Sequence, residues 1–316
     1  MSFRPPSEPD RFAPRFAEIA TFMRAPLAQA VTDAQIGIFG IPYDGALTNR
    51  PGARHGPREI RNQSSLMRGI NHATRIDPFA LARVRDMGDV PFEQMFDIAA
   101  SHAAIASFAT DLVAGGVLPL GIGGDHSVSL PLLRAVAASG PVALIHIDAH
   151  TDTWDSFQGS KFNHGAPFRR AVEEGLIDPA ATIQIGIRGT QNSPEGWDYS
   201  AQSGMDVVFC EEVHASGVED IADRARACVA DRPVYLTFDI DSLDPVYAPG
   251  TGTPEIGGLT THQAQVLLRG LRGLNYVGAD LVEVSPPFDN GYVTSLAGAA
   301  LAFEILCLLA EKVSAR

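Results

Sequence analysis

The chain has 316 residues, of which 45% are hydrophobic and 19% are charged, so it is long and apolar enough to bury a large core. Its 24 basic and 37 acidic residues leave a formal net charge of −13. A surface this acidic repels phosphate backbones and anionic lipid, which argues against nucleic acids and membrane surfaces as partners.

The cysteines and the N-terminal segment indicate in which cellular compartment the protein is expected. Cys210, Cys228 and Cys307 are widely spaced and form no C-x-x-C pair, so we expect small buried thiols rather than disulfides or a cysteine zinc site. The proline-rich N-terminal segment MSFRPPSEPDRFAPRF lacks the apolar stretch of a signal peptide. Because no run of about 18 apolar residues is evident either, the sequence predicts a soluble cytoplasmic protein.

The chain divides into an N-terminal arm, residues 1–34, with a short helix around Phe16–Met23, and one domain, residues 35–316. In that domain short apolar runs predict seven strands: Gln35–Gly40, Val117–Gly121, Val142–Ile147, Thr182–Ile187, Val207–Cys210, Val234–Phe238 and Tyr276–Val284. Amphipathic stretches predict helices over Phe96–Val113, Ser127–Ala138, Val218–Val229 and Thr260–Leu271, and an apolar pattern predicts a C-terminal helix over Thr294–Leu309.

Strands alternate with helices along the whole domain, and runs such as VALIHI and VYLTFDI are nearly continuous and β-branched. Such runs are typical of strands that are covered on both faces. The sequence therefore predicts an α/β fold, a doubly wound and mostly parallel sheet with helices on both faces. Two Gly/Pro-rich segments, Gly40–Gly56 and Pro245–Gly258, are too long for simple turns and predict functional loops.

Polar clusters follow three of the predicted strands, in Gly123–Ser127, Asp148–Asp152 and Asp239–Pro245. Ligands bind open parallel sheets beyond the carboxyl ends of the strands, where these clusters lie. Asp148, His150 and Asp152 recur at intervals of two, as do Asp239 and Asp241, and alternate residues of an extended backbone point to the same side. Each segment would therefore present two or three side chains to a common point.

Carboxylates and imidazoles together suit Mn, Ni, Co or Zn ions. Four converging aspartates, Asp148, Asp152, Asp239 and Asp241, would repel each other without metal, whereas two divalent cations balance their charge. With His126 and His150 they predict a binuclear site, and such a site typically activates water for hydrolysis. Asp125 and Asp244 have a simpler interpretation, the start of a helix and a turn before Pro245.

These clusters, in this order and at these separations, resemble the ureohydrolase family of arginase, agmatinase and related amidinohydrolases. The likeness extends through GIPYDGALTNRPGARHGPREIR (Gly40–Arg61), HGAPF (His164–Phe168), TFDIDSLDPVYAPGTGTPEIGG (Thr237–Gly258) and DLVEVSPPFD (Asp280–Asp289). Within the agmatinase-type branch, the segments TNRPGARHGPREIRNQSSLMR, FRRAVEEGLIDP and IGIRG most resemble guanidinopropionase and guanidinobutyrase. The resemblance implies an arginase-like three-layer α/β/α fold.

The resemblance also implies roles for individual residues. It assigns one Mn²⁺ to His126, Asp148, Asp152 and Asp239 and a second to His150, Asp148, Asp239 and Asp241, with Asp148 and Asp239 as bridges. Ni²⁺ or Co²⁺ would suit the same ligands. His164 matches the family's proton-shuttling histidine, Glu283 the glutamate that binds the guanidinium, and Thr253 a threonine near the substrate. Asn163 and Phe162 are candidates for contact with the substrate tail.

The reaction implied is hydrolysis of a linear guanidino compound to urea and an amine. The leading substrates are 3-guanidinopropionate and 4-guanidinobutyrate, and agmatine is the runner-up. Formiminoglutamate hydrolysis and a non-catalytic homologue in a mixed assembly are alternatives, although the second would be expected to have lost some of the six ligand residues, His164 or Glu283. The family's oligomers imply a trimer or a homohexamer.

The remaining histidines and the first-loop arginines have less specific interpretations. His146 shares the parity of Asp148 but lies deeper in its strand, so we expect it to support the ligands rather than to be one. His102, His214 and His262 are expected to be structural or exposed. The sequence leaves open whether His55, Arg54, Arg58 and Arg61 face the substrate entrance, a substrate tail or another subunit.

Overall fold

An eight-stranded sheet forms the centre of the protein in the computed structural model, which describes residues 14–315. The strands are β1 (Ile36–Gly40), β2 (Val84–Asp89), β3 (Leu118–Ile122), β4 (Val142–Ile147), β5 (Ile177–Ile187), β6 (Asp206–Phe209), β7 (Val234–Asp239) and β8 (Tyr276–Val282). Their order is β2-β1-β3-β8-β7-β4-β5-β6, and every neighbouring pair is parallel.

Helices cover both faces of this sheet. They are α1 (Gly56–Ser64), α2 (Pro78–Leu81), α3 (Ile98–Ala114), α4 (Ser129–Val136), α5 (Pro167–Glu173), α6 (Glu195–Ser203), α7 (Cys210–Ser216), α8 (Val218–Val229), α9 (Thr261–Gly270) and α10 (Val293–Ser314). Successive side chains of β4 point to opposite faces of the sheet, so that Leu144 packs in one hydrophobic core and Ile145 in the other. The predicted doubly wound α/β fold is therefore confirmed.

Two local predictions are corrected. Strand β2 was missed because its sequence, VRDMGD, has no apolar run; it lies at the sheet edge, where only part of its length is buried. The predicted helix around Phe16–Met23 is absent, and a single 3₁₀ turn, Phe22–Arg24, stands at the end of that segment. The arm is anchored there instead by Phe22, which is buried and whose amide donates to Asp86 Oδ2 at 3.0 Å. Residues 1–13, on which the signal-peptide prediction depends, lie outside the described range.

The C-terminal helix also departs from an expectation. By length and composition α10 could cross a membrane, with a mean hydropathy of 2.0 over its most apolar window, although the sequence analysis found no such run. That window is 83% buried inside the fold, as in the core helix of a globular domain. Cys210 and Cys307 are buried, Cys228 is partly buried, and all three are free thiols, as predicted.

Candidate metal centre

Four adjacent strands in the middle of the sheet, β3, β8, β7 and β4, end at the same edge. His126 follows β3, Glu283 follows β8, Asp239 ends β7 and Asp148 follows β4. Because the strands are parallel and in register, these chain-distant side chains meet in one crevice. All four are buried.

The first group of ligands surrounds one ring nitrogen. His126 Nδ1 lies 3.0 Å from Asp148 Oδ2, 3.0 Å from Asp152 Oδ2 and 3.1 Å from Asp239 Oδ2. It is fully buried, yet none of these approaches has the geometry of a hydrogen bond. Asp152 reaches this position with a left-handed backbone, φ 52°. That conformation is disfavoured for a residue with a side chain and is often kept at functional sites.

The other ring nitrogen of His126 fixes the tautomer. Thr237 Oγ1 donates its proton to Asp280 Oδ1, which as a carboxylate can only accept. Thr237 must then accept from His126 Nε2, 2.9 Å away, so the ring proton is on Nε2. Asp280 is held in place by the hydroxyls of Ser129 and Tyr235, at 2.6 and 2.7 Å. In the neutral ring, Nδ1 is therefore the nitrogen without a proton, and its lone pair is directed at three carboxylates.

A ring nitrogen that faces three carboxylate oxygens requires a cation between them, either a proton on Nδ1 or a metal ion. Burial opposes a charge on His126, but Asp148, Asp152 and Asp239 outweigh it and raise the pKa of the imidazole well above its ordinary value. Burial, and then the charges of Asp241 and Asp148, raise the pKa of Asp239 well above its usual range, which shows the same excess of negative charge. A divalent metal satisfies this set of one imidazole nitrogen and carboxylate oxygens. The residues present therefore fit the metal that the family resemblance implies.

The second group adjoins the first. His150 Nδ1 lies 3.2 Å from Asp241 Oδ2 and 3.5 Å from Asp148 Oδ1. Asp148 thus presents Oδ2 to the first group and Oδ1 to the second, as a bridging carboxylate would. The Asp241 amide donates to Asp239 Oδ1 at 2.8 Å, and the Thr253 hydroxyl donates to Asp241 Oδ2 at 3.2 Å. The structure thus brings together all six predicted ligands in two groups that share Asp148.

His146 belongs behind the ligands rather than among them. Its Nε2 donates to Asp148 Oδ2 at 2.7 Å, and its Nδ1 accepts from the Gln184 amide at 3.0 Å. Both ring nitrogens are therefore used, although His146 is close enough to the first group to pass for a ligand on distance alone. Its hydrogen bond orients Asp148, which is the supporting role that the sequence suggested.

Glu283 and His164 form a pair beside the first group. Glu283 Oε1 accepts from His164 Nδ1 at 3.0 Å and from the His126 amide at 2.9 Å. Glu283 Oε2 is buried and has no hydrogen-bond partner among residues 14–315, and the residue has φ 64°. Burial opposes a charge on His164, but the hydrogen bond and the charge of Glu283 outweigh it and raise the pKa of the imidazole. The free Oε2 is thus a buried anionic acceptor without a donor.

Sequence reasoning missed Thr48, although it placed a functional loop over Gly40–Gly56. The Thr48 hydroxyl lies 2.7 Å from His164 Nε2. Asp125 starts the 3₁₀ turn His126–Val128, as predicted, and it also accepts from the Ala46 amide of the same loop at 2.9 Å. Burial, and then the charge of Glu283, raise the pKa of Asp125 to about 7.

Arg188 is a second residue that sequence reasoning missed. It is 5% exposed and directly follows β5, within the segment IGIRG (185–189). Its guanidinium donates to the backbone carbonyl oxygens of Asp241, Ser242, Leu243 and Glu255. Arg188 therefore fixes the backbone that carries Asp241.

Within residues 14–315, the other singled-out residues bond partners outside the two groups of ligands or are exposed. The Asn163 side chain bonds its own loop, to Ser160 O at 3.1 Å and from the Gly165 amide at 3.0 Å, while Phe162 is exposed. Arg54 pairs with Asp44, and Arg61 pairs with Asp86 and Asp89 of the same chain. His55, Arg58, His214 and His262 are exposed.

His102 is buried in α3, and its Nε2 donates to Ser127 Oγ at 3.2 Å. Burial lowers the pKa of His102 to about 4, so the folded protein keeps the ring neutral while the unfolded chain takes up a proton near pH 6.5. The contribution of His102 to the free energy of unfolding is therefore fully present above about pH 6.5, and up to about 3 kcal/mol of it is lost as the pH drops to 4. Denaturant unfolding of the metal-free protein and of His102→Gln, which keeps a donor to Ser127, should show this loss in the parent only. Parallel pH profiles would contradict it.

The sequence and the structure of this chain were compared with those of known proteins. A sequence model described as the Arginase family matches residues 34–308. A guanidinopropionase of Pseudomonas aeruginosa is 53% identical over 95% of this chain and 95% of that protein. A mitochondrial agmatinase of Gallus gallus is 45% identical over 96% of this chain and 89% of that protein. The structure of a proclavaminate amidino hydrolase from Streptomyces clavuligerus matches with a TM-score of 0.90 and 41% identity. The match covers 95% of this chain and 100% of that one. The chain described here belongs to the arginase family.

Proposed function

We propose that this protein is a binuclear-metal amidinohydrolase that releases urea from an ω-guanidino acid. The observation that carries the proposal is Glu283 Oε2, a buried carboxylate oxygen without a donor at the edge of the metal ligands. A guanidinium is a planar cation that donates two parallel N–H bonds, which is the partner such an oxygen lacks. Gly252 adjoins this oxygen without a side chain, since a Cβ there would lie 3.6 Å from Oε2 and 3.3 Å from the Arg50 carbonyl oxygen.

Two divalent ions would be held by the six ligands named above, His126, Asp148, His150, Asp152, Asp239 and Asp241. Ions in such a pair supply a water activated for attack at neutral pH. Glu283 would fix the guanidinium carbon of the substrate beside that water. The negative cluster and Glu283 together favour a substrate whose reacting end is cationic.

His164 is the candidate for moving the proton that the leaving amine requires. Its Nδ1 donates to Glu283 Oε1, so it would lie against the bound guanidinium, and it is the one histidine of the crevice that faces neither group of ligands. The raised pKa keeps a larger fraction of the imidazole protonated near neutral pH than a free histidine would have. A protonated ring can give its proton to the departing nitrogen.

The substrate tail is proposed from similarity. The guanidinopropionase is more similar to this chain than the agmatinase is, at 53% against 45% identity over nearly the same span. This difference supports a carboxylate tail of the 3-guanidinopropionate or 4-guanidinobutyrate type.

Urea release tests the proposal. Protein reconstituted with Mn²⁺ should release urea from 3-guanidinopropionate or 4-guanidinobutyrate with kcat/KM at least about tenfold higher than from agmatine or arginine, the size of discrimination that recognition of the tail end provides. Equal rates on all four compounds would reject tail recognition. No urea from any compound, with two metal equivalents bound, would reject the reaction.

Agmatine is the second candidate because of Glu255. Its carboxylate lies 4.0 Å from His150 Nε2 and is partly exposed, so an anion stands at the rim of the ligand groups. An amine tail would pair with it, whereas a carboxylate tail would be repelled. Replacing Glu255 by Gln should therefore weaken activity on agmatine and leave activity on the guanidino acids unchanged or improved.

We also propose Mn²⁺ as the metal, a trimer or homohexamer as the assembly and the cytoplasm as the location, with residues 35–316 as the catalytic domain behind an arm over residues 1–34. Oxygen-rich ligands with two imidazoles support manganese, and Ni²⁺ or Co²⁺ would fit the same atoms. Free thiols at Cys210, Cys228 and Cys307 support a reducing compartment. Light scattering coupled to size exclusion would test the assembly, and a monomer would refute it.

A further inference from the structure

The hydroxyl of Thr48 lies on the ring nitrogen of His164 that Glu283 does not use. Thr48 Oγ1 is 2.7 Å from Nε2, and Glu283 Oε1 is 3.0 Å from Nδ1. The imidazole is therefore held at both nitrogens, by a carboxylate on one side and by a hydroxyl on the other. Within residues 14–315, no other side chain forms a hydrogen bond with this ring.

The loop that carries Thr48 is anchored on each side of it. Before Thr48, the Ala46 amide donates to Asp125 Oδ2 at 2.9 Å, and the Ala46 carbonyl accepts from the His164 amide at 3.0 Å. After Thr48, the Gly52 amide donates to Asp44 Oδ2 at 2.7 Å. Asp44 and Asp125 are buried, so the anchors are shielded from water. The contact between Thr48 and His164 is thus imposed by the fold of the loop and not by the side chain alone.

The two contacts assign the proton positions. A carboxylate accepts only, so Nδ1 must carry a proton in order to bond Glu283 Oε1. In the neutral ring Nε2 is then an acceptor, and the Thr48 hydroxyl donates to it. When the ring is protonated, Nε2 becomes a donor, and the hydroxyl accepts after rotating about its C–O bond. A hydroxyl can serve both states without movement of the imidazole, which a methyl group cannot do.

Because Thr48 is partly exposed, its hydroxyl can also exchange protons with water. His164 is 7% exposed, whereas Thr48 is partly exposed. Of the two side chains that bond the ring, Thr48 is the one with exposure to water, since Glu283 is buried. In this exchange the Thr48 O–H bond breaks as an N–H bond forms on Nε2, and Oγ1 regains a proton from a hydronium ion or buffer acid.

We propose that Thr48 is a positioning residue for His164, which keeps the proton-bearing Nδ1 on the Glu283 side and passes protons between Nε2 and water. This inference rests on the proposed function for its kinetic test but not for its structural one. It predicts that a residue distant in sequence from every ligand controls the chemical step and not substrate binding.

Valine and serine substitutions separate the hydroxyl from the shape of the side chain. Thr48→Val keeps the shape, and we expect it to lower kcat about 10–100-fold, as loss of support for an acid–base residue does, with KM changed less than about threefold. Thr48→Ser restores the hydroxyl and should keep kcat within about threefold of the parent. Equal losses in both variants, or a loss confined to KM, would overturn the proposal.

The ¹⁵N spectrum of the histidine ring tests the same idea without turnover. In the Mg²⁺- or Zn²⁺-loaded parent, His164 should show a protonated Nδ1, with its signals identified by their loss in His164→Asn. In Thr48→Val the signals should shift or broaden because Nε2 has lost its partner. An Nε2–H tautomer in the neutral parent ring would overturn the proposal. If the parent releases no urea but shows the expected tautomer and its change in Thr48→Val, the proposed reaction fails and the positioning role stands.

Discussion

Replacing Asp239 by Asn should abolish metal binding at the first group of ligands and urea release together. Asp239 Oδ2 is one of three carboxylate oxygens around His126 Nδ1, and its Oδ1 also accepts the Asp241 amide. Loss of one charged ligand removes a metal–oxygen bond and leaves the remaining charges uncompensated, so we expect a fall in kcat of about a thousandfold or more. Metal content after gel filtration and urea release would be measured on the same samples.

The same substitution should leave the metal-free protein as stable as the parent or more stable. Burial and the charges of Asp241 and Asp148 make the ionised Asp239 unfavourable without metal, and a neutral amide removes that repulsion. An Asn side chain can also donate to the bare Nδ1 of His126. Thermal unfolding in chelator should therefore show an equal or higher Tm for Asp239→Asn, whereas added Mn²⁺ should raise the Tm of the parent alone.

Asp244 provides the matched control, since it lies in the same segment but outside the ligand groups. Its Oδ1 accepts the Val246 amide at 2.9 Å and its Oδ2 accepts the Gly257 amide at 2.8 Å, so it shapes a turn. Asp244→Asn should lower stability modestly and retain metal. If Asp239→Asn binds metal as well as Asp244→Asn does, the ligand assignment is wrong. If the parent binds metal and neither parent nor variant releases urea, the non-catalytic alternative is favoured.

The ligands were predictable because they are local in sequence. Asp148 and His150 come just after β4, while Asp239 ends β7 and Asp241 lies in the 3₁₀ turn Ile240–Ser242. The spacing of two located the ligands, but the extended backbone predicted for it is wrong: in each pair the aspartate side chain accepts the amide two residues further on. The same periodicity could have found Thr237, which lies two residues before Asp239 on the same face and orients His126. It was overlooked because a threonine inside an apolar run is also typical of a strand.

Contacts that depend on tertiary folding could not be predicted in this way. Thr48 meets His164 across 116 positions of sequence, and only the anchored course of its loop brings them together. Arg188 gives no local signal that its guanidinium will donate to the backbone around Asp241. Strand β2 was missed for a related reason, since its pairing with β1 and not an apolar pattern makes it a strand.

Replacing Glu283 by Gln should separate substrate binding from metal binding. In the variant, Oε1 can still accept from the His126 amide, so the ligand His126 keeps its backbone position and metal content should be unchanged. The group at the position of Oε2 becomes an N–H donor that faces the N–H donors of a guanidinium. Loss of a buried charge pair costs about 3 kcal/mol, so kcat/KM should fall about 100-fold or more.

The matched control for Glu283→Gln is the same change at the rim, Glu255→Gln. Glu255 is partly exposed and lies 4.0 Å from His150 Nε2, so its loss should change kcat/KM for a guanidino acid less than about threefold. Glu283 also raises the pKa of His164, so that pKa should fall toward or below its ordinary value in Glu283→Gln. As the pH is increased, the residual rate of the variant should therefore begin to decline at a lower pH than the rate of the parent does. Equal losses at both positions would mean that net negative charge, and not a fitted contact at Oε2, holds the substrate. A loss of metal in Glu283→Gln would instead make Glu283 part of the metal site, because within the described residues Glu283 bonds the predicted ligands through the backbone amide of His126 and not through a side chain.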